Sequence, residues 1–224
     1  MILLGNFLYG SQNYCLDTPD SDKDYKMLYI PSYREIAGLP SENVLEKDEH
    51  FTPFLFSKWY NGLLRGSKDA WELPFSVERK WQPSWGRAGD VYFAEVRVAS
   101  GPILRSCANS FLTSARGMVR QNCDKAKQDI VNRYKYWARA VWMCDFATHV
   151  IKADGKLTFD TWRGENSMAR AIRFLQREPE EDPTEVVAKL EWEPIAKSQD
   201  AATIDTFERE THKFIKEVYR RFYE

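Results

Sequence analysis

Two apolar, strand-forming stretches parted by a Gly-Ser turn constrain this chain more than any other feature. Met1–Tyr9 (MILLGNFLY) is almost wholly apolar and runs straight into Gly10-Ser11. Asp22–Ile30 (DKDYKMLYI) sets Tyr25, Met27 and Tyr29 against Lys26, the two-residue period of a half-buried strand. Between them, Thr18-Pro19-Asp20-Ser21 is dense in turn formers. The expectation is a pair of strands joined by a turn-rich connector.

Downstream, the punctuation predicts short elements first and long helices later. Pro31–Asn43 carries two prolines and a glycine and reads as loop with one turn of helix. Glu46–Thr52 is a candidate third strand, and Pro53 a candidate first residue of a helix reaching Arg65, stopped by Gly66. Ser67–Phe75 reads as a short helix capped by Ser67. Trp81, Pro83, Trp85, Gly86 and Gly89 predict loop, with Val91–Val98 either strand or the start of a helix. Helices are then predicted over Ile103–Gln121 and Lys125–Ile151, the latter with Ile130, Tyr134, Trp137, Val141 and Cys144 on one stripe. Asp154-Gly155 breaks it, and Leu157–Phe159 is a short extended piece. Further helices are expected over Ser167–Glu178, Asp182–Lys197 and Ala201–Tyr223. The fold class is therefore α+β: a small mixed-sheet core over 1–102 and a helical half over 103–224.

Composition narrows the functional classes. Hydrophobic residues make up 43% of the 224 residues and charged ones 29%, enough for a sizeable core and against wholesale disorder. Lys plus Arg number 32 against 33 Asp plus Glu, so overall positive charge cannot be what draws nucleic acid. Apolar runs such as Phe54–Phe56 are too short to cross a bilayer. A basic start followed by a long apolar stretch, as in a signal peptide, is missing, and the expected location is cytosolic. Cys15, Cys107, Cys123 and Cys144 form no CxxC pair, and only three histidines are present. Buried free thiols are expected rather than a zinc site or a disulfide framework.

The chemistry-bearing segment is Gly10-Ser11…Asp22-Lys23-Asp24. Residues two apart on a strand share a face, so Asp22 and Asp24 project together while Lys23 points away. Two carboxylates on one face can hold a hard divalent cation. A Gly-Ser turn at a strand end can cradle phosphate oxygens through backbone N–H groups and the Ser11 hydroxyl, and Gly10 allows close approach. Taken singly, the turn is only a turn and the acidic pair only solvated surface. Their pairing between two apolar strands is the informative observation.

These residues carry a resemblance. LYGSQNYCLDTPDSDKDYKMLYI resembles the GS…DxD element of the DNA polymerase β-like nucleotidyltransferase superfamily. More narrowly, it is similar to the predicted nucleotidyltransferases of bacteria and phages, with pattern GS-x-x-YG-x-x-x-x-x-SD-x-D. Gly10, Ser11, Tyr14, Ser21, Asp22 and Asp24 match, while Cys15 stands where the pattern has glycine. Phe56-Ser57-Lys58-Trp59, Gly66 and Trp71-Glu72-Leu73 are similar to the family's helix pair after the third strand. Lys135–Met143 and Asp154-Gly155-Lys156-Leu157 are similar to its later helix and turn.

The resemblance implies a nucleotidyltransferase core. An acceptor hydroxyl would attack the α-phosphorus of a nucleoside triphosphate, and pyrophosphate would leave. Mg²⁺ or Mn²⁺ would be held by Asp22, Asp24 and a third carboxylate, for which Asp48 is preferred over Glu49 on the opposite face and over Glu72. Gly10 and Ser11 would bind the β- and γ-phosphates. Lys135 and Arg139, four apart on a helix and so on one face, would complete the clamp, with Lys58 a further candidate. The acceptor stays open among RNA, protein and small molecules. Trp81–Phe93 interleaves cations with aromatics that either stack bases or simply pack. The alternative is a catalytically inert nucleotide-binding or protein-interaction module on the same fold. A third possibility is a plain interaction protein in which the two elements coincide by chance.

Overall fold

A computed structural model describes residues 1–17, 21–39, 50–152, 171–173, 175–176 and 201–224. Its α+β architecture is built on β1 (Ile2–Tyr9), a strand whose Ile2, Leu4, Phe7 and Leu8 are all buried. β1 pairs antiparallel with β2 (Asp24–Ile30) on one side and with β4 (Arg79–Trp81) on the other. β3 (Phe51–Leu55) lies parallel to β2, giving a mixed sheet in the order β3-β2-β1-β4. The register sets Tyr9 opposite Asp24 and Phe7 opposite Lys26. Directly opposed residues share a face, so Tyr9, Asp24 and Lys26 point to the same side of the sheet.

Helices complete the core. One turn, α1 (Tyr33–Ile36), is capped reciprocally by Ser32 and Glu35. α2 (Phe56–Leu64) and α3 (Lys68–Glu72) are locked by two indoles: Trp59 Nε1 donates to the Ala70 carbonyl at 2.8 Å, and Trp71 Nε1 to that of Leu63 at 3.1 Å. Those bonds let two large side chains be fully buried without stranding their polar atoms. α3 tightens into a 3-10 turn at Leu73–Phe75. Three long helices follow, α4 (Gly86–Ser106), α5 (Ala108–Gln128) and α6 (Arg133–Lys152). α7 (Ala201–Tyr223) lies on α4, where Phe214 stacks on Tyr92 at 4.4 Å and the Tyr92 and Thr211 hydroxyls meet at 3.0 Å. The expected 102/103 boundary falls inside α4, and one apolar core joins Phe7 and Leu28 of the sheet to Phe93, Leu104 and Trp142. No helix among the described residues is long and apolar enough to cross a membrane.

Several elements differ from the sequence expectation, each for a local reason. Pro53 does not start a helix. It sits inside β3 opposite Met27, a place proline tolerates on a sheet edge, and the helix starts at Phe56. Of the strand expected over Glu46–Thr52, residues 46–49 lie outside the described residues; the described strand there is Phe51–Leu55, which takes in the last two expected positions and runs three residues beyond them. The loop expected around Gly86 and Gly89 is helical, and Val91–Val98 is helix rather than strand. Helix boundaries move too: α4 ends at Ser106 and α5 runs to Gln128. The stripe expected from Ile130 fails, because Ile130 and Val131 lie between α5 and α6 and are 72% and 83% exposed. Cys107, Cys123 and Cys144 are buried as expected, whereas Cys15 is exposed. The elements expected at Leu157–Phe159 and Asp182–Lys197, and most of Ser167–Glu178, lie outside the described residues.

Gly89 shows why a glycine persists within a long helix. A Cβ there would stand 2.5–2.6 Å from three atoms of the Trp81 indole, itself packed on Phe7 and Phe93. Alanine is the better helix former by about 1 kcal/mol, but overpacking a filled site costs about 1–3 kcal/mol. Gly89→Ala is therefore expected to lower the unfolding free energy in urea by up to about 2 kcal/mol. At Gly117 of α5, where a Cβ meets open space, the same change is expected to raise it by up to about 1 kcal/mol. Two destabilised variants would contradict the packing account.

Candidate functional site

The site grows from the end of β1. Gly10 turns the chain at φ 84°, ψ −155°, a conformation open to glycine and costly for other residues. Ser11–Tyr14 then forms one 3-10 turn, closed by Asn13 N–H to the Gly10 carbonyl at 3.0 Å and Leu16 N–H to that of Ser11 at 2.8 Å. Cys15 ends it in the left-handed region, at φ 57° and ψ 36°. The backbone thus keeps the conformation a glycine would favour at the position where the resembling pattern carries one. Tyr14 stacks on Trp142 of α6 at 4.3 Å, fixing the turn against the helical layer. Asn13, fully buried, accepts the Val77 N–H at 3.0 Å.

Beneath the turn lies an ion pair without access to water. Glu72 is 0% exposed and Lys68 3%, and the two are salt-bridged one helical turn apart. Glu72 Oε1 also accepts the Gly10 N–H and, at 3.3 Å, Asn13 Nδ2. The Lys68 ammonium lies 4.7 Å from the centre of the Tyr14 ring. Burial pulls Lys68 down, but Glu72, Tyr14 and Asp69 outweigh it and hold the ammonium above its ordinary value. Burial likewise pushes the Glu72 carboxyl up, against the pull of Lys68. Both Glu72 oxygens are committed, so Glu72 anchors the turn and is not a metal ligand. The Gly10 N–H, expected to face a phosphate, is spent on that anchor.

The open side of the turn carries the remaining charges. Asp24 Oδ2 would stand 3.7 Å from a Cβ at Gly10, which places its carboxylate directly over the turn. Lys26, two residues on, rests over the rings of Tyr9 at 4.3 Å and Phe54 at 5.4 Å. Burial, reinforced by Asp69, pushes the Tyr9 hydroxyl up. Burial pulls Lys26 down, opposed by Asp69, Glu72 and Asp24. From α6, Arg139 acts electrostatically on Tyr14, whose hydroxyl burial pushes up. Arg139 Nε is buried without a hydrogen-bond partner among the described residues.

The structure thus brings together Gly10, Ser11 and Asp24 of the expected set, with Arg139 on α6 near enough to Tyr14 to act on it electrostatically. Asp22 is exposed and precedes β2 rather than lying on it, so strand parity does not fix its direction. Lys135 lies one turn before Arg139 on α6, and Lys58 stands exposed on α2. Asp48 and Glu49 lie outside the described residues. The aromatics of Trp81–Phe93 are not a base-stacking surface: Trp85, Tyr92 and Phe93 are buried, and Trp85 Nε1 donates to the Leu3 carbonyl at 3.1 Å. Among the described residues no three metal-ligating side chains cluster. The Asp24 carboxylate nonetheless fits a hard cation, since it makes no hydrogen bond or ion pair among the described residues. Lys68 and Lys26 escaped the sequence reading. Lys26 was within its reach, by the parity that pairs Asp22 with Asp24, whereas the burial of Lys68 leaves no local signal.

No protein-family model, curated protein or solved structure matches this chain. The site stands on its own geometry.

Two stability tests follow from that geometry. Glu72→Gln keeps an acceptor for the Gly10 N–H but leaves the buried ammonium only its longer contact with Asp69 at 3.7 Å, a loss of up to about 3–5 kcal/mol. Adding Lys68→Met is expected to recover much of that loss in urea unfolding; additive losses would refute the pairing. At Cys15, the left-handed conformation costs a side-chain residue about 1–2 kcal/mol, more than the 0.5–1 kcal/mol or so of chain entropy that glycine adds. Cys15→Gly is expected to stabilise by up to about 1 kcal/mol, and Cys15→Val to destabilise.

Proposed function

We propose that this chain is a metal-dependent nucleotidyltransferase, moving a nucleoside monophosphate from a nucleoside triphosphate to an acceptor hydroxyl. The observation that carries the reading is the seating of the Asp24 carboxylate over the Gly10-Ser11 turn at one strand end. A phosphate-binding turn and a cation-binding carboxylate within one small volume are what such a transfer requires. Mg²⁺ or Mn²⁺ would be held by Asp24 and Asp22, with Asp48 as the proposed third ligand. When bound there, the ion supplies Lewis-acid stabilisation of the charge on the transferring phosphoryl group. With the Gly10 N–H already engaged, the Ser11 hydroxyl takes the phosphate contact. Arg139, its Nε without a partner among the described residues, adds positive charge from α6.

That engaged Gly10 N–H also favours a second reading, a nucleotide-binding module that performs no transfer. One experiment separates the two. Incubation with α-labelled nucleoside triphosphates, Mg²⁺ or Mn²⁺, and cell RNA or lysate is expected to move label onto a macromolecule and release pyrophosphate. Asp24→Asn is expected to reduce transfer by about 100-fold or more, the scale of losing one charge-stabilising group at a reacting centre. Its melting temperature should change little, because the Asp24 carboxylate makes no hydrogen bond or close ion pair among the described residues and loses only its longer-range attraction to Lys26. Saturable nucleotide binding without transfer would select the second reading, and absence of both would overturn the two together.

A further inference from the structure

We propose that Lys26 is the cation that grips the polyphosphate tail of the ligand, and so sets the preference for a triphosphate over a monophosphate. The inference rests on the nucleotide reading of the site and adds to it a residue outside the expected set.

Lys26 follows Asp24 by two residues on β2 and lies opposite Phe7 of β1, so it shares the sheet face of Tyr9 and Asp24. Tyr9 directly precedes Gly10, and the ammonium lies 4.3 Å from the centre of its ring. The cation therefore abuts the turn. Tyr9 and the Phe54 ring, 5.4 Å away on β3, both lie against the ammonium, which limits its freedom. An anion arriving there would meet a group already in place, with little ordering left to do.

The Lys26 ammonium makes no hydrogen bond or ion pair among the described residues, only the two ring contacts and longer-range electrostatics. A ring contact is worth about 0.5–2 kcal/mol and uses none of the three ammonium donors. Lys68 makes a useful contrast: it too lies over a tyrosine ring, yet it is closed off by Glu72. Of the two, Lys26 is the one with donors to offer a ligand. Asp24 and Asp69 are near enough to act on it electrostatically, so cation and carboxylate stand side by side, as a metal-bound polyphosphate requires.

The test is calorimetric titration of the full chain with ATP, AMP and inorganic tripolyphosphate. Wild type is compared with K26M, K26Q and K26R, each checked for folding by circular dichroism. Met keeps the apolar stem on the two rings and removes only the charge; Gln is a second neutral variant. A charge-assisted bond of about 1.5–3 kcal/mol predicts that the neutral variants bind ATP and tripolyphosphate about 10- to 100-fold more weakly. AMP affinity should change by less than about threefold, and K26R should restore most of the loss. Neutral variants that bind ATP like wild type would overturn the proposal while leaving the nucleotide reading intact. A folded K26R that restores nothing would also overturn it. Wild type that binds tripolyphosphate through Lys26 but shows no gain for ATP would overturn the nucleotide reading and keep Lys26 as a polyphosphate cation. Wild type that binds neither would overturn both.

Discussion

The ion pair of Lys68 and Glu72 lies where water cannot reach it, and the turn above depends on how that charge is satisfied. A buried carboxylate costs several kcal/mol unless its oxygens are filled. Here they are filled by one ammonium, one backbone N–H and one side-chain amide. Two of those donors, from Gly10 and Asn13, belong to the turn after β1, 62 and 59 residues from Glu72 in sequence. The turn thus inherits its position from α3, and α3 inherits its own from the indoles of Trp59 and Trp71 that fasten it to α2.

Above this anchor, the charges sort by access to solvent. Lys68 and Glu72 neutralise each other in the core. Asp69 is exposed, and Asp24, Lys26 and Arg139 are half-buried. Lysine does two jobs within one small region, first as a sealed counter-charge and then as a cation held between rings. Burial and the Glu72 carboxylate set Lys68 apart from Lys26.

What could be read from the sequence was local. β1 is almost continuous apolar chain and β2 alternates with period two, so both strands and the short path between them are legible. This is why Gly10, Ser11 and Asp24 converge as expected. α7 is legible for the same reason, its apolar face recurring at helical spacing from Phe207 through Phe214 to Val218. Errors arose where one residue has two competing meanings. Pro53 suits a helix start and an edge strand equally, and its pairing with Met27 decided between them. Gly89 signals loop until the Trp81 ring is seen to need the space of a missing side chain. Glu72 looked like a remote candidate ligand because its partnership with Gly10 spans 62 residues. No window along the chain contains both.

The placement of Pro53 has a consequence for how copies of this chain meet. The two outer strands of a sheet present unpaired backbone groups, and a neighbouring chain can extend the sheet by pairing with them. Here one border, β3, is five residues long and carries a residue with no N–H to donate. The other, β4, is three residues long and begins with Arg79 and Lys80. Short length, a missing donor and paired positive charge each oppose strand addition. Among the described residues, both borders of the sheet are thereby poorly suited to growing from molecule to molecule.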